Sequence, residues 1–178
     1  MRIIGGKYRG KKLTLPTTDK IRPTSDMVKQ AMFTKLQFAI DGKSFLDLFG
    51  GSGQMAIEAL SRGAKVTIVD ASSQSIRLVR QNLSGITEKA KLVLNDYQAA
   101  LKSFSPKSFD YIFIDPPYDN VDCYEKSFEL IFSGDLLTDD GLIICEHRSE
   151  TELDCLLFQK IDTKKYGSKK LTYFAKTN

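Results

Sequence analysis

The 178-residue sequence is poor in the side chains that most often carry metal or covalent chemistry, with one histidine, three cysteines and no tryptophan. The single histidine, His147, removes most histidine-based metal sites and weakens any mechanism in which histidine activates a serine or cysteine. Cys123, Cys145 and Cys155 are odd in number and lack CxxC spacing, which argues against a disulfide framework or a zinc site. We therefore expect no bound metal, and reduced thiols in a cytoplasmic protein.

Long apolar segments are also missing. No apolar run approaches the roughly 18–20 residues that a membrane-spanning helix needs, and the basic N-terminus lacks the apolar region and cleavage site of a signal peptide. There is no internal repeat and no Pro-rich or Gly/Ser-rich linker. An ordinary composition, 42% hydrophobic and 27% charged, indicates a globular chain with a sizeable core. We expect a monomer without membrane contacts.

Positive charge is concentrated at the two ends of the chain. Residues 1–45 hold ten basic and three acidic residues, a net charge of +7, and residues 159–178 have a net charge of +5. Because the whole chain carries only +4, the middle carries −8. This asymmetry indicates a polyanionic partner contacted by the ends. The alternative is that the terminal lysines only solvate the surface.

From Ser44 onwards, strand-like apolar runs alternate with helical stretches. The runs are residues 45–49, 66–69, 92–94, 111–114 and 142–145, and the helices are about 54–62, 73–83, 98–104 and 124–132. Nearly continuous apolar strands separated by helices are typical of a parallel sheet covered on both faces. Right-handed crossovers then predict an α/β fold with a doubly wound sheet.

The two ends of the chain depart from this alternation. Residues 156–161 and 170–175 flank a polar turn at 164–169, which predicts an antiparallel hairpin at the sheet edge and seven strands in total. Residues 2–5 and 12–15 surround a glycine-containing turn, so we predict a small basic N-terminal hairpin over 1–22 and a main domain over 23–178. A helix capped by Thr24 or Ser25 is expected between them, with apolar residues recurring from Val28 to Ala39.

The first strand ends in a glycine-rich loop at residues 47–53, followed directly by a helix. Gly51 to Ala56 fit the pattern G-x-G-x-x-A, and Asp70 follows 19 residues after Gly51, at the end of the second strand. A carboxylate there reaches ribose hydroxyls in nucleotide-type sites. Both a dinucleotide and S-adenosylmethionine fit such a crevice. Asp47 favours S-adenosylmethionine, because a carboxylate repels pyrophosphate but accepts from an α-ammonium group.

The third strand ends at Asp96, whose carboxylate can accept from an adenine amino group. The predicted cofactor-binding residues are therefore Asp47, Phe49, Gly51, Ser52, Gly53, Asp70 and Asp96.

The fourth strand ends in Asp115-Pro116-Pro117-Tyr118, our predicted catalytic residues. The two prolines stiffen the turn and carry no N–H donor, so local carbonyls stay available as acceptors. A carboxylate, these acceptors and the flat face of the tyrosine suit an amino group on a planar base. Acceptors at both N–H bonds free the nitrogen lone pair toward an electrophilic methyl group, and stacking holds the base in line.

These motifs carry a resemblance to a known family. They are the segments 47–53 and 115–118, in that order, together with residues 2–10, 22–26, 58–64 and 166–167. The chain resembles the RsmD family of class I S-adenosylmethionine-dependent amino-methyltransferases over essentially its whole length. The resemblance implies transfer of a methyl group to the N2 amino group of a guanine in 16S ribosomal RNA. It implies S-adenosylmethionine as cofactor and S-adenosylhomocysteine as product.

The resemblance also gives the basic ends a use. The RNA would be naked, or part of the small subunit or its assembly intermediate, and the target base would sit in a loop or be flipped out. The predicted RNA-binding residues are Arg2, Lys7, Tyr8, Arg9, Lys11, Lys12 and Arg22. Tyr8 would stack on an unpaired base or pack against the sheet.

Four other hypotheses stay open at this point. A DNA adenine-N6 or protein glutamine methyltransferase presents a planar nitrogen to a similar pocket. A nicotinamide-dependent oxidoreductase would use the glycine loop with Asp70, although Asp47 and the segment 115–118 disfavour it. The fourth is an RNA-binding module that has lost activity but kept the pocket.

Overall fold

Seven strands form one sheet in the part of the chain that the computed structural model describes, residues 1–16, 26–117 and 122–177. The strands are β1 (Ser44–Asp47), β2 (Lys65–Asp70), β3 (Lys91–Leu94), β4 (Phe109–Ile114), β5 (Leu137–Arg148), β6 (Gln159–Tyr166) and β7 (Lys169–Ala175). The helices are α1 (Asp26–Leu36), α2 (Gln54–Ser61), α3 (Ser73–Asn82), α4 (Tyr97–Ser103) and α5 (Asp122–Ser133). None of these helices is long and apolar enough to cross a membrane.

The strand order across the sheet is β3-β2-β1-β4-β5-β7-β6. Strands β1 to β5 are parallel, whereas β7 runs antiparallel to both β5 and β6. The predicted doubly wound, mostly parallel sheet with a C-terminal antiparallel hairpin is therefore confirmed. The chain order reverses between β1 and β4, and in such sheets ligands bind beyond the carboxyl ends of the strands at this point.

Both faces of the sheet are buried because neighbouring strand residues point to opposite sides. Phe45 packs under α1 and α2, with its ring centroid 6.3 Å from that of Phe33. The next residue, Leu46, belongs to the second core, which α4 and α5 cover and which includes Ile112 and Phe128. This two-sided burial explains why the strands appear in the sequence as nearly continuous apolar runs.

The arm, which we define as residues 1–16, doubles back on itself and packs against α2. The predicted hairpin is present as one antiparallel bridge between Arg2 and Lys12, with backbone hydrogen bonds on either side rather than two full strands. Ile3 and Leu13 are buried against Ile57. The division of the chain at residue 22 stays a prediction, and the cap residues Thr24 and Ser25 lie outside the described residues.

A glycine permits the arm to approach α2 closely. Gly6 has a φ of 72°, and a Cβ built on it would lie 1.9 Å from the carbonyl oxygen of Ser61. Lys7 donates its backbone N–H to that same carbonyl at 2.7 Å. A side chain at residue 6 would therefore push the arm off the helix.

A buried charge network fixes the arm to α1 and α2. Glu58 is fully buried, and its carboxylate accepts from the Ile4 backbone N–H at 2.8 Å and from the Arg62 guanidinium at 2.9 Å. Lys29, also fully buried, places its Nζ 3.8 Å from Glu58 and donates to the Arg2 carbonyl at 2.5 Å. Because each charge has a partner, the network links three segments without leaving a buried ion uncompensated.

The C-terminal hairpin corrects two predicted boundaries. The first strand begins at Gln159, not 156, and Leu156 is fully exposed in the preceding bend. The turn is Gly167-Ser168 alone, so Lys164 and Lys165, predicted to lie in it, belong to β6. A lysine-rich run resembles a turn in sequence, but β6 is an edge strand whose side chains face solvent, and lysine is common there.

Removal of the Glu58 charge should destabilise the whole domain. Glu58→Gln removes the carboxylate that Lys29 and Arg62 share. It leaves the fully buried Lys29 with the largely exposed Asp26, 3.5 Å from its Nζ, as its carboxylate partner. This change costs about 3 kcal/mol of unfolding free energy. Urea unfolding at pH 7 measures this loss.

Glu129→Gln is the matched control, because Glu129 forms an exposed pair with Lys126 and should change the free energy by no more than about 0.5 kcal/mol. Equal losses in the two variants would contradict the proposed network.

Candidate active site

The loop between β1 and α2 is shaped by its backbone. Gly50 donates its N–H to the Val69 carbonyl at 2.8 Å, which holds the loop against β2. Gly53 has a φ of 76° and directly precedes α2, and a Cβ there would come within 3.0 Å of Val79. Glycine at this position therefore allows the chain to turn sharply from strand to helix. Ser52 is buried beside it.

Asp70, at the end of β2, holds the loop in place. Its carboxylate accepts from the Gly51 N–H at 2.8 Å and, through the other oxygen, from the Ser72 N–H at 2.7 Å. An ionised carboxylate has about four acceptor sites, so each oxygen keeps capacity for a further donor such as a ribose hydroxyl. The side chain predicted to bind ribose thus also organises the glycine loop.

Asp47 lies beneath the loop and is only 2% exposed. Burial, together with the nearby charges of Asp70 and Glu146, raises the pKa of Asp47 to about 7, and hydrogen bonds from the N–H groups of Ala56 and Phe49 limit this rise. A carboxylate with such a pKa is charged for only part of the time at neutral pH. A cation placed against it would favour the charged form.

Asp96 follows β3 and caps α4. One of its carboxylate oxygens accepts from the backbone N–H groups of Gln98 and Ala99, each at 3.0 Å. Next to it, Tyr97 brings its ring centroid to 5.2 Å from that of Phe49. This aromatic pair links the ends of β1 and β3. Tyr97 was not among the predicted site residues, because one tyrosine after an aspartate is not a distinctive signal.

The segment after β4 places a second carboxylate at the same edge. The Asp115 side chain is 25% exposed, Pro116 is buried and Pro117 is exposed. Asp115 is close enough to Asp47 for their charges to interact. The predicted stacking residue, Tyr118, lies outside the described residues, and so does Arg22. The catalytic roles of this segment stay predictions.

Two further residues of this edge were missed by the sequence reasoning. Glu146 on β5 is fully buried, and Lys169 on β7 places its Nζ 2.7 Å from the Glu146 carboxylate and 3.9 Å from Asp115. Glu146 could have been predicted, because it directly follows the apolar run 142–145 as Asp115 follows its own run. Lys169 could not, because it is one of several lysines in the tail. In the described part of the chain, these acids form no cluster suited to a metal ion.

The structure separates the predicted RNA-binding residues into two groups. Arg2, Arg9 and Lys12 are exposed. Lys7 and Tyr8 both bond to Glu88, and the Tyr8 hydroxyl also accepts from the Thr87 backbone N–H at 3.0 Å. Lys11 extends to the Ser84 carbonyl at 2.5 Å. The second group therefore fastens the arm to the segment after α3, whereas the first group is open to a partner.

Asn82 connects the arm to the glycine loop. This buried side chain accepts from the Thr14 N–H at 2.8 Å, and its amide group donates to the carbonyls of Thr14 and Ser52, each at 2.9 Å. A single amide therefore binds both segments.

Comparison with known proteins places the chain in a family. The family model described as Conserved hypothetical protein 95 matches residues 1–175. A Bacillus subtilis protein provisionally described as an rRNA methyltransferase, YlbH, is 37% identical and covers 94% of each chain. Ribosomal RNA small subunit methyltransferase D of Escherichia coli is 31% identical over 86% of this chain and 77% of its own length. The chain belongs to the RsmD family. The resemblance inferred from the sequence is thus confirmed.

Solved structures agree with this placement. An Escherichia coli protein provisionally described as a methyltransferase, yhhF, superposes with a TM-score of 0.84 at 28% identity and covers 99% of this chain and 97% of its own. The 16S rRNA N2 G1207 methyltransferase of Thermus thermophilus, RsmC, solved with AdoMet and guanosine, shares the fold at 22% identity. Its TM-score is 0.73, and it covers 90% of this RsmD-family chain and 45% of its own.

The buried Asp47 of this RsmD-family protein should lower its stability as pH rises. Its pKa of about 7 in the folded state exceeds the value of about 3.9 in an unfolded chain. The folded state therefore resists ionisation, and stability falls from pH 4 up to pH 7. We measure the unfolding free energies of Asp47→Asn and the wild type by urea unfolding without ligand. The difference between them should shift by about 2–3 kcal/mol in favour of Asp47→Asn as the pH rises from 5 to 8.

Asp139→Asn serves as the control for this measurement. The Lys107 ammonium lowers the pKa of Asp139, so this carboxyl stays ionised over the same range. The difference between Asp139→Asn and the wild type should not change between pH 5 and pH 8. A pH-independent difference for Asp47→Asn would contradict the assigned ionisation.

Proposed function

We propose that this protein transfers a methyl group from S-adenosylmethionine to the exocyclic N2 amino group of a guanine in 16S ribosomal RNA. The observation that carries the proposal is the placement of Asp47 and Asp115. Asp47 ends β1, Asp115 follows the adjacent parallel strand β4, and the register places Asp47 beside Phe113. Their carboxylates are within electrostatic range of each other. This arrangement suits a cationic cofactor beside an amino group.

The residues at the end of β1 and β2 fit this cofactor. Asp47 would accept from its α-ammonium group, and Asp70, already bound to the loop amide of Gly51, would accept from ribose hydroxyls. The Phe49–Tyr97 ring pair offers an apolar surface near Asp96 for the adenine. S-adenosylmethionine supplies a methyl group made electrophilic by its sulfonium. Binding should strengthen as Asp47 ionises near pH 7.

The residues at the end of β4 would prepare the amino group. Asp115 would accept one N–H hydrogen bond, and a carbonyl of the proline turn would accept the other. These bonds raise the electron density on a nitrogen whose lone pair is otherwise delocalised into the ring. As the new N–C bond formed, the bond from the methyl group to the cofactor sulfur would break with S-adenosylhomocysteine as the leaving group. The extra proton on nitrogen would pass to the Asp115 carboxylate or to solvent. The chemistry needs positioning more than a strong base.

The relatives support ribosomal RNA as the substrate, because those above 30% identity are all named as ribosomal RNA methyltransferases. The Escherichia coli and Haemophilus influenzae relatives, which match 86% of this chain, are named for the small subunit. Guanine N2 as the methylated atom follows from the RsmD resemblance. No described contact favours a DNA base, a glutamine amide or a nicotinamide cofactor. Since ribosomal RNA is the proposed substrate, we infer a cytoplasmic enzyme that acts as a monomer on free RNA or on a small-subunit particle.

The first test combines nucleoside analysis with a variant of Asp115. Wild-type protein and S-adenosylmethionine should produce N2-methylguanosine in 16S RNA, measured by mass spectrometry of the digested nucleosides. Asp115→Ala should lower turnover about 100-fold or more, while the Kd for S-adenosylmethionine changes by no more than a few-fold. Asp139→Asn, far from the site, should retain wild-type turnover. Methylation of another base, or full turnover by Asp115→Ala, would refute this assignment.

The second test concerns the arm. If Arg2, Arg9 and Lys12 contact phosphates, replacing all three with alanine should lower RNA affinity and reduce the slope of log K against log salt by about two to three. Fluorescence anisotropy with a labelled 16S fragment between 50 and 200 mM KCl measures both.

The control for the arm test replaces Lys160, Lys164 and Lys165 on the exposed edge strand β6, which removes the same charge. The slope should then fall less. An unchanged slope in the arm variant would show that the arm does not bind phosphate.

A further inference from the structure

Glu146 and Lys169 form a charged pair beside Asp115 that has no role in the proposed methyl transfer itself. Glu146 lies near the carboxyl end of β5, and Lys169 is the first residue of β7, the strand that pairs with β5. The Lys169 Nζ is 2.7 Å from the Glu146 carboxylate, and its side chain is only 14% exposed. From there it also lies 3.9 Å from the Asp115 carboxylate. One buried ammonium thus faces two carboxylates.

The groups around Asp115 act on it in opposite directions. Burial, then Glu146 and Asp47, raise the pKa of Asp115 well above its usual range, whereas the Lys169 ammonium lowers it. Tyr124 on α5 and Cys145 on β5 also face this carboxyl, and burial raises the pKa of each, which keeps them neutral. Among the described residues, Lys169 is therefore the group that favours the charged form of Asp115.

The charge state of Asp115 decides what it can do. A carboxylate accepts hydrogen bonds from an amino group, whereas a protonated carboxyl keeps one oxygen as a donor and loses part of that capacity. Glu146 holds the lysine chain in place, because an ammonium 2.7 Å from a fully buried carboxylate has little freedom to turn to solvent.

We propose that Lys169, held by Glu146, is a positioning residue that favours the ionised form of Asp115, the form that accepts from the amino group of the substrate. This inference rests on the proposed function for the role of Asp115, but the ionisation itself can be measured without RNA. The alternative is that the pair only joins β5 to β7. In that case its loss would reduce stability without changing how Asp115 titrates.

The test compares pH profiles and a direct titration. In Lys169→Met, the acidic limb of the kcat/KM profile should move up by at least one pH unit, with about a tenfold loss at pH 7 that is recovered at higher pH. In Lys169→Arg, which keeps the positive charge, the acidic limb should lie close to that of the wild type. Glu146→Gln removes a negative neighbour, so its limb should move to lower pH. Opposite shifts for the two partners are not expected from a purely structural pair.

Lys170→Met is the matched control. Lys170 is the next residue of β7, but it pairs with Glu152 at the surface, so its profile should superpose on that of the wild type. In parallel, NMR of ¹³C-labelled aspartate follows the Asp115 carboxyl in the protein without RNA or cofactor. Its titration midpoint should rise in Lys169→Met and fall in Glu146→Gln.

The outcomes separate this inference from the proposed function. Equal loss of rate at every pH in Lys169→Met, with an unmoved Asp115 titration, overturns the role of Lys169. If the wild type methylates no RNA, the proposed function fails, while the NMR titration still decides whether Lys169 governs Asp115. Should Lys169→Met fail to fold, Lys169→Gln, which also removes the positive charge, decides the question through the same two measurements.

Discussion

Four carboxylates share one edge of the sheet, and the arrangement around them depends on how their repulsion is controlled. Asp47, Asp70, Asp115 and Glu146 follow or end parallel strands, so the topology brings them together whatever the surrounding loops do. Like charges at low dielectric repel strongly. Asp70 is compensated by backbone N–H groups and Glu146 by an ammonium, whereas Asp47 and Asp115 respond by a raised pKa. A cationic cofactor would reduce the remaining repulsion, and this is a physical reason why the site would favour a cation.

Such a site costs stability, and other parts of the fold offset it. The two cores bury the large side chains of both sheet faces, and the closed network around Glu58 adds a charge cluster in which every ion is paired. The contrast between the two clusters is informative. The Glu58 network is electrically balanced and joins structural elements, whereas the edge cluster carries an excess of negative charge in a region open to ligands. Strain of this kind is commonly retained where binding requires it.

Much of this architecture could be predicted from the sequence, because two-sided burial leaves continuous apolar strands and the glycine loop follows the first of them. Asp47, Asp70 and Asp115 were found in the same way, since each directly ends or follows such a strand. Lys169 was not, because its role depends on β7 inserting between β5 and β6, a long-range pairing with no local pattern. The predicted boundaries of β6 were wrong for a related reason, because edge strands tolerate lysine runs that resemble turns in sequence. The charge network that fixes the arm also needs the fold, because its members Lys29 and Glu58 are 29 residues apart.

The position of Asn82 changes how the arm should be regarded. A basic N-terminal segment suggests a loose appendage that attracts RNA by charge alone. Here a buried amide binds Thr14 of the arm and Ser52 of the glycine loop at once, and Tyr8 is tied to Glu88. Buried hydrogen bonds of this kind are expensive to break because each lost partner leaves a polar group unsatisfied. The exposed Arg2, Arg9 and Lys12 are therefore held at a set distance from the loop, so a phosphate bound by them would fix the RNA relative to the methyl-transfer site rather than merely raise its local concentration.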